Sequence, residues 1–379
     1  MKRVIIVIAL FTVASASFAA GTGESDPGSP PASQEATAPE AIPEIATIPL
    51  EEGEKLAVVA TTSILGDVVA EVGGDAIDLT VLIPVGQNPH AYEPTPRAIA
   101  SIETADIVFT NGFDLEENLL SIVNATARGP VVSASSGIGP HGNGSHRAGG
   151  HSHGDDHDEE PAHDSAGHNE DHAEDDHPDD HDRDQDHDHD EARDHDHGEI
   201  DPHVWFDPTN AIVWVDNIEA VLAAADPANA EGYAARAARY RESLEELDDE
   251  YRRRLSEIPR ERRKLVVDHA ALGYLADEYD LTVIGSVIPA VTDQAEPSAR
   301  QIAELVEVIR HEDVSTIFIG GTAGDGLRNL VNAVAEETGS SVTIRTLLTG
   351  SLAPRGSRGD TYIAFMRYNL EQIAEGLSE

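Results

Sequence analysis

ANAEGYAARAARYRESLEELDDEYRRRLSEI, Ala228–Ile258, contains no helix breaker other than Gly232. As a single helix of about 30 residues rising 1.5 Å each, it would measure roughly 45 Å, long enough to join two lobes. No a/d seam persists along it, so a coiled coil is disfavoured and the charged faces read as solvated. On its N-terminal side, LAVVATTSI starts a strand at Leu56, and a helical stretch from Leu65 to Val72 follows, ended by Gly73 and Gly74. Ile77–Pro84, Asp106–Thr110 and Pro130–Ala134 supply three more strands, with helical stretches between most of them. On its C-terminal side the alternation resumes with LVVDH, LTVIGSVIP, STIFIGG and VTIRTLL, separated by helical stretches such as Ser298–Arg310 and Leu327–Thr338. Strands alternating with helices indicate parallel sheets covered on both faces. The expected fold is α/β: two lobes, each a four-stranded parallel sheet flanked by helices, joined by one long rigid helix.

The expected boundaries are an N-terminal lobe over 55–225, the linking helix over 226–260 and a C-terminal lobe over 261–379. At 379 residues the chain exceeds ordinary single-domain size, so two lobes with separate cores are anticipated. Asp207 with Pro208 and Asp226 with Pro227 each read as an N-cap and first helical residue. The final helix, Tyr362–Leu377, sets Ile363, Met366, Leu370 and Ile373 along one stripe.

Outside the lobes, Lys2 and Arg3 precede an apolar run from Val4 to Phe18 and the small residues Ala19, Ala20 and Gly21. This is a signal peptide over 1–20, since a bilayer span needs about 20 apolar residues. Residues 21–54, rich in Pro, Ser, Ala, Thr and Glu, read as an unordered acidic tether. There is no cysteine, hence neither disulfide nor lipid-attachment thiol, and a soluble periplasmic or otherwise extracytoplasmic protein is expected. The formal charge of −46 with only three lysines excludes nucleic acid and anionic membrane surfaces as partners, because phosphate binding needs clustered Lys and Arg.

His141–Glu199 is a low-complexity run holding 14 of the 18 histidines. Four remain: His90, His203, His269 and His311. His90, in NPHAYEPTP, and His269, closing LVVDH, fall at carboxyl ends of strands, the edge where open α/β sheets bind ligands. His203, in DPHVWFDP, has Trp205 and Phe206 beside it to exclude water. A lone histidine is usually structural, but three in such places point to zinc, which favours imidazole nitrogen in a tetrahedral set. Without thiols the fourth ligand would be a carboxylate, and spacing alone does not choose among Asp201, Asp207, Asp268, Asp293 and Asp360.

TTSILGDVVAEVGG, NPHAYEPTP, NGFDLEENL, DPHVWFDP, AEPSARQIAEL, AEETG and GDTYIAFMRYNL, in that order, resemble the substrate-binding proteins of zinc and manganese ABC importers over nearly the whole mature chain. The resemblance implies two α/β lobes joined by a rigid helix, with metal held between them by two residues from each lobe. By motif these are His90, His203, His269 and Asp360. The manganese branch generally carries Glu where His269 stands, and oxygen-rich sites suit manganese, so the zinc branch is implied. The sequence departs from the family at Gly320 and Gly321, where an acidic residue often follows the strand. The implied partners are an importer permease with its cytoplasmic ATPase; the chain itself is expected to be a monomer.

The low-complexity run, with 22 acidic residues against three arginines, reads as a solvated loop that also gathers zinc weakly. An enzyme is disfavoured, since there is no HExxH helix, Gly-x-Ser-x-Gly elbow, phosphate-cradling glycine loop or cysteine nucleophile. Manganese or another divalent metal as cargo, and a zinc buffer or adhesin, are the alternative functions. Because binding needs neutral imidazoles, affinity should fall as pH drops through roughly 6.5.

Overall fold

The structure is a computed structural model describing residues 41–142, 200–339 and 342–378. The leader expected over 1–20 and nearly all of the His/Asp-rich run lie outside the described residues. In the first lobe, strands β1 (Leu56–Ala60), β2 (Ile77–Val81), β3 (Ile107–Thr110) and β4 (Val131–Ser133) alternate with helices α1 (Ser63–Gly73), α2 (Pro96–Thr104) and α3 (Glu117–Thr126). Two helices follow, α4 (Pro208–Ala225) and the long α5 (Ala230–Ser256). The second lobe comprises β5 (Lys264–His269), α6 (Gly273–Glu278), β6 (Thr282–Ile288), α7 (Ala299–His311), β7 (Thr316–Gly320), α8 (Asp325–Glu337), β8 (Thr343–Leu347) and α9 (Tyr362–Ser378). Strand order is β2-β1-β3-β4 in one sheet and β6-β5-β7-β8 in the other, with every pairing parallel. Each sheet is therefore the same motif, its first strand inside and its second at the edge.

Local chemistry sets the helix starts. Thr62 accepts from Leu65 N at the head of α1, and Thr95 with Pro96 opens α2. Asp207 accepts from Thr209 N with Pro208 behind it, as the Asp-Pro signal anticipated. The second Asp-Pro pair behaves differently. Pro227–Asn229 form a short 3-10 turn, and Asp226 Oδ2 accepts from Asn229 Nδ2 and the Tyr233 hydroxyl instead of capping α5.

At 27 residues α5 spans about 40 Å. One face is a buried stripe of Tyr233, Ala237, Tyr240, Leu244, Leu247, Tyr251 and Leu255, a three-four spacing that the sequence reading did not resolve among the intervening alanines and charges. Arg236 ties it to the first lobe by donating to Val72 O and Gly73 O, and Tyr251 ties it to the second by donating to Met366 O at 2.6 Å. The anticipated separate cores are accordingly not found. One apolar cluster passes from Leu56 and Phe109 through Trp214, Tyr233 and Tyr251 to Phe318 and Phe365, with smaller clusters on the outer side of each sheet.

The unordered tether expected over 21–54 also fails in its last part. Ile42, Ile45, Ile48 and Leu50 pack against the core, and Ile48 N donates to Ala225 O. Their apolar side chains offset the entropy that the polar composition around them suggested could not be recovered.

Candidate metal centre

Three chain segments deliver imidazoles to one place. After β2 the chain turns through Pro84–Gln87 into a 3-10 turn, Pro89–Ala91, whose N-cap Asn88 accepts from His90 N through its side chain. His269 is the last residue of β5 and pairs with Ile288 of β6. His203 precedes the 3-10 turn Val204–Phe206, and the carbonyl before it, Pro202 O, accepts from Asn111 Nδ2. Ring centroids lie 5.2 Å apart for His90 and His203, 5.2 Å for His203 and His269, and 6.0 Å for His90 and His269. Their nearest ligand atoms all fall within 4.8 Å of one another, and no further His, Asp or Glu among the described residues belongs to the group. His203 and His269 are almost fully buried and His90 half-buried.

Two aspartates orient this triad. Asp201 Oδ1 accepts from His203 Nδ1 at 2.7 Å and its Oδ2 from Gly273 N, while Asp268 Oδ1 accepts from His269 Nδ1 at 3.0 Å and its Oδ2 from Gly320 N at 2.7 Å. A carboxylate on Nδ1 fixes the tautomer that presents a bare Nε2, the usual support of a metal-ligating histidine. Both were visible in the sequence as Asp-Pro-His and Asp-His, yet spacing left them equal to other aspartates. Gly320 also explains the departure from the family pattern at this strand end. Its amide holds Asp268, and a Cβ there would stand 2.5 Å from Thr349 Oγ1 and 3.2 Å from Asp268 Oδ2.

Burial lowers the pKa of His90 to about 2, helped by the other two imidazoles, and burial likewise lowers that of His203. Burial also opposes charge on His269, but the charge and hydrogen bond of Asp268 outweigh it and raise its pKa. The pocket thus disfavours charge on His90 and His203 and favours it on His269.

The fourth expected ligand does not join the imidazoles at that spacing. Asp360 is outside the converging group, and its Oδ2 accepts from Gly356 N at 2.7 Å. Nor does it cap α9, because Thr361 Oγ1 accepts from Ala364 N and Asp67 Oδ2, from the first lobe, accepts from Tyr362 N. Asp207 caps α4, and Asp293 is gripped by Asn88. His311 is exposed beside Glu312.

Two four-stranded α/β lobes on a long helix, with imidazoles meeting between strand ends, constitute the architecture of a substrate-binding component of metal-importing ABC systems. The chain belongs to the family described as ZnuA, zinc-uptake complex component A periplasmic, whose model matches residues 58–376. It is a transport protein and not an enzyme. Among curated relatives, the manganese ABC transporter substrate-binding lipoprotein PsaA of Streptococcus anginosus is 28% identical, with 86% of this chain and 91% of the relative covered. The manganese-binding lipoprotein MntA of Halalkalibacterium halodurans is 27% identical, covering 87% and 91%. The periplasmic zinc-binding protein TroA of Treponema pallidum shares the fold at a TM-score of 0.66 and 23% identity, covering 86% of this chain and 99% of that one. So does a Mn-bound periplasmic metal-binding protein from Candidatus Liberibacter asiaticus, at a TM-score of 0.65 and 24% identity, covering 86% and 100%. No helix among the described residues is long and apolar enough to cross a membrane.

Proposed function

We propose that the chain captures Zn2+ outside the cytoplasm through His90, His203 and His269 and hands it unchanged, as a monomer, to an importer permease driven by an ATPase. The convergence of three imidazoles, two of them backed by aspartates, carries this reading. In a tetrahedral zinc site with bonds near 2.0–2.1 Å the donor atoms stand about 3.3 Å apart, close to the approach of His90 and His203. An all-nitrogen set favours zinc over manganese, which prefers carboxylate and water. The second reading, manganese as cargo, draws on the names of the curated relatives. Native mass spectrometry of the full chain offered equimolar zinc and manganese decides between them: one tight zinc supports the first, retained manganese the second. The His/Asp-rich run beyond Gly142 acts in this scheme as a weak collector of zinc beside the cleft. Release requires one lobe to draw its donors away from the others.

A further inference from the structure

Asn88 makes two kinds of contact at once. Its Oδ1 accepts from the backbone N of His90, and its Nδ2 donates to both oxygens of Asp293, at 2.8 and 2.9 Å. Asn88 belongs to the first lobe and Asp293 to the loop after β6 in the second, 205 residues further along the chain. That loop is anchored beside another of the imidazoles, since Ala270 N donates to Ala290 O directly after His269. Gln294 Nε2 completes the set of donors on Asp293. Of the other bonds between the lobes, Gly86 N to Ser351 Oγ, Leu352 N to Ser63 Oγ and Tyr362 N to Asp67 involve none of the residues around the imidazoles, whereas Gly273 N donates to Asp201, which also accepts from His203 N and Nδ1. Asn88 joins the backbone of His90 to the opposite lobe as Asp201 joins that of His203.

We propose that Asn88 and Asp293 form an interlobe latch that sets how fast the cation leaves the three imidazoles. The inference rests on the metal-binding reading of that triad. Opening the lobes must break the two Nδ2 bonds, and the same movement shifts the turn that carries His90. Closing restores both together. The latch uses a neutral amide on an ionised carboxylate, a bond stronger than one between neutral groups but free of the desolvation cost of a buried ion pair, so it can be made and broken as cargo is loaded and passed on.

The test is a charge exchange. Asn88→Asp keeps an oxygen for His90 N but sets two carboxylates against each other. Asn88→Asp combined with Asp293→Asn restores one donor and one acceptor in reversed order. In stopped-flow transfer of zinc from the full chain to a chelator, the single variant should lose metal about tenfold faster than wild type, the effect of removing a hydrogen bond to a charged group, and the double variant should return to within about threefold. An unchanged rate in the single variant, or no recovery in the double, overturns the latch; the second result would fit Asp293 acting through its charge on the metal. Hydrogen exchange of the metal-free chain provides a readout independent of metal. The latch predicts faster exchange in 86–92 and 289–297 for the single variant and recovery in the double. If exchange follows this pattern but wild type binds no tight zinc, the metal reading falls and the latch stands; unchanged exchange in both segments rejects the latch.

Discussion

The Nε2 atoms of His90 and His203, 113 residues apart in the chain, approach to 3.1 Å. Two imidazole nitrogens held this close, with His269 beside them, are spaced as ligands of one cation would be.

Replacing any one of the three imidazoles should therefore remove tight binding. His269→Ala is expected to weaken zinc roughly a hundredfold or more, beyond the 10–100-fold typical of losing an orienting partner. Asp360→Ala should change affinity by less than about threefold, the behaviour of an ordinary substitution away from the site. Chelator competition measures both, and a large loss in Asp360→Ala would return that carboxylate to the ligand set.

Asp201→Asn and Asp268→Asn test the orienting aspartates. Each should cost about 10–100-fold in affinity while leaving one zinc per chain. Isothermal titration separates affinity from stoichiometry, and wild-type affinity in both variants would show that packing alone aims the rings.

The pH dependence follows from His269. Metal needs its neutral form, and Asp268 raises its pKa, so zinc has to displace a proton from it that His90 and His203, both lowered, do not hold. Affinity should begin to fall while pH is still above about 6.5, earlier than an unperturbed histidine requires. In Asp268→Asn the fall should move to lower pH. Affinity constant from about pH 8 to 5 would contradict the imidazole site itself.

Glu116 gives a stability test away from the metal. Burial raises its pKa from 4.5 to about 6 against the bonds from Thr61 and Asn111 N, and its Oε2 has no partner among the described residues. The folded state thus binds this proton more tightly than the unfolded state. The resulting stabilisation is complete below about pH 4.5 and is lost as pH rises through about 6, amounting to about 2 kcal/mol. Between about pH 4.5 and 7.5, wild type should lose roughly that much stability relative to Glu116→Gln in urea unfolding. Parallel pH profiles would place the ionisation elsewhere.

Gly142 and Ile200 pair as an isolated antiparallel bridge, and Asp201 N donates to His141 O, so the ends of the His/Asp-rich run meet next to His203. Deleting 143–199 and joining the ends with a short glycine linker should keep one tight zinc and abolish weaker binding, as counted by native mass spectrometry. Unchanged stoichiometry would remove the collecting role.

The architecture was legible because it depends on short-range signals. Apolar runs at Leu56, Leu265 and Thr316, glycines after Val72 and the Asp207-Pro208 cap each determine their element from neighbouring residues alone, and alternation of strand with helix then leaves a parallel sheet as the economical outcome. The same locality made His90, His203 and His269 stand out once the low-complexity run was set aside. What the chain order could not convey was which carboxylate faces which imidazole. Asp201, Asp268, Asp293 and Asp360 are chemically alike in the sequence, and only packing assigned the first two to ring nitrogens, the third to Asn88 and the last to Gly356 N. The single core crossing both lobes and the buried face of α5 also emerged only in three dimensions. Burial is a property of distant surfaces brought together, and a stripe of Tyr, Ala and Leu set among charges has no partner until the helices against which it packs are in place.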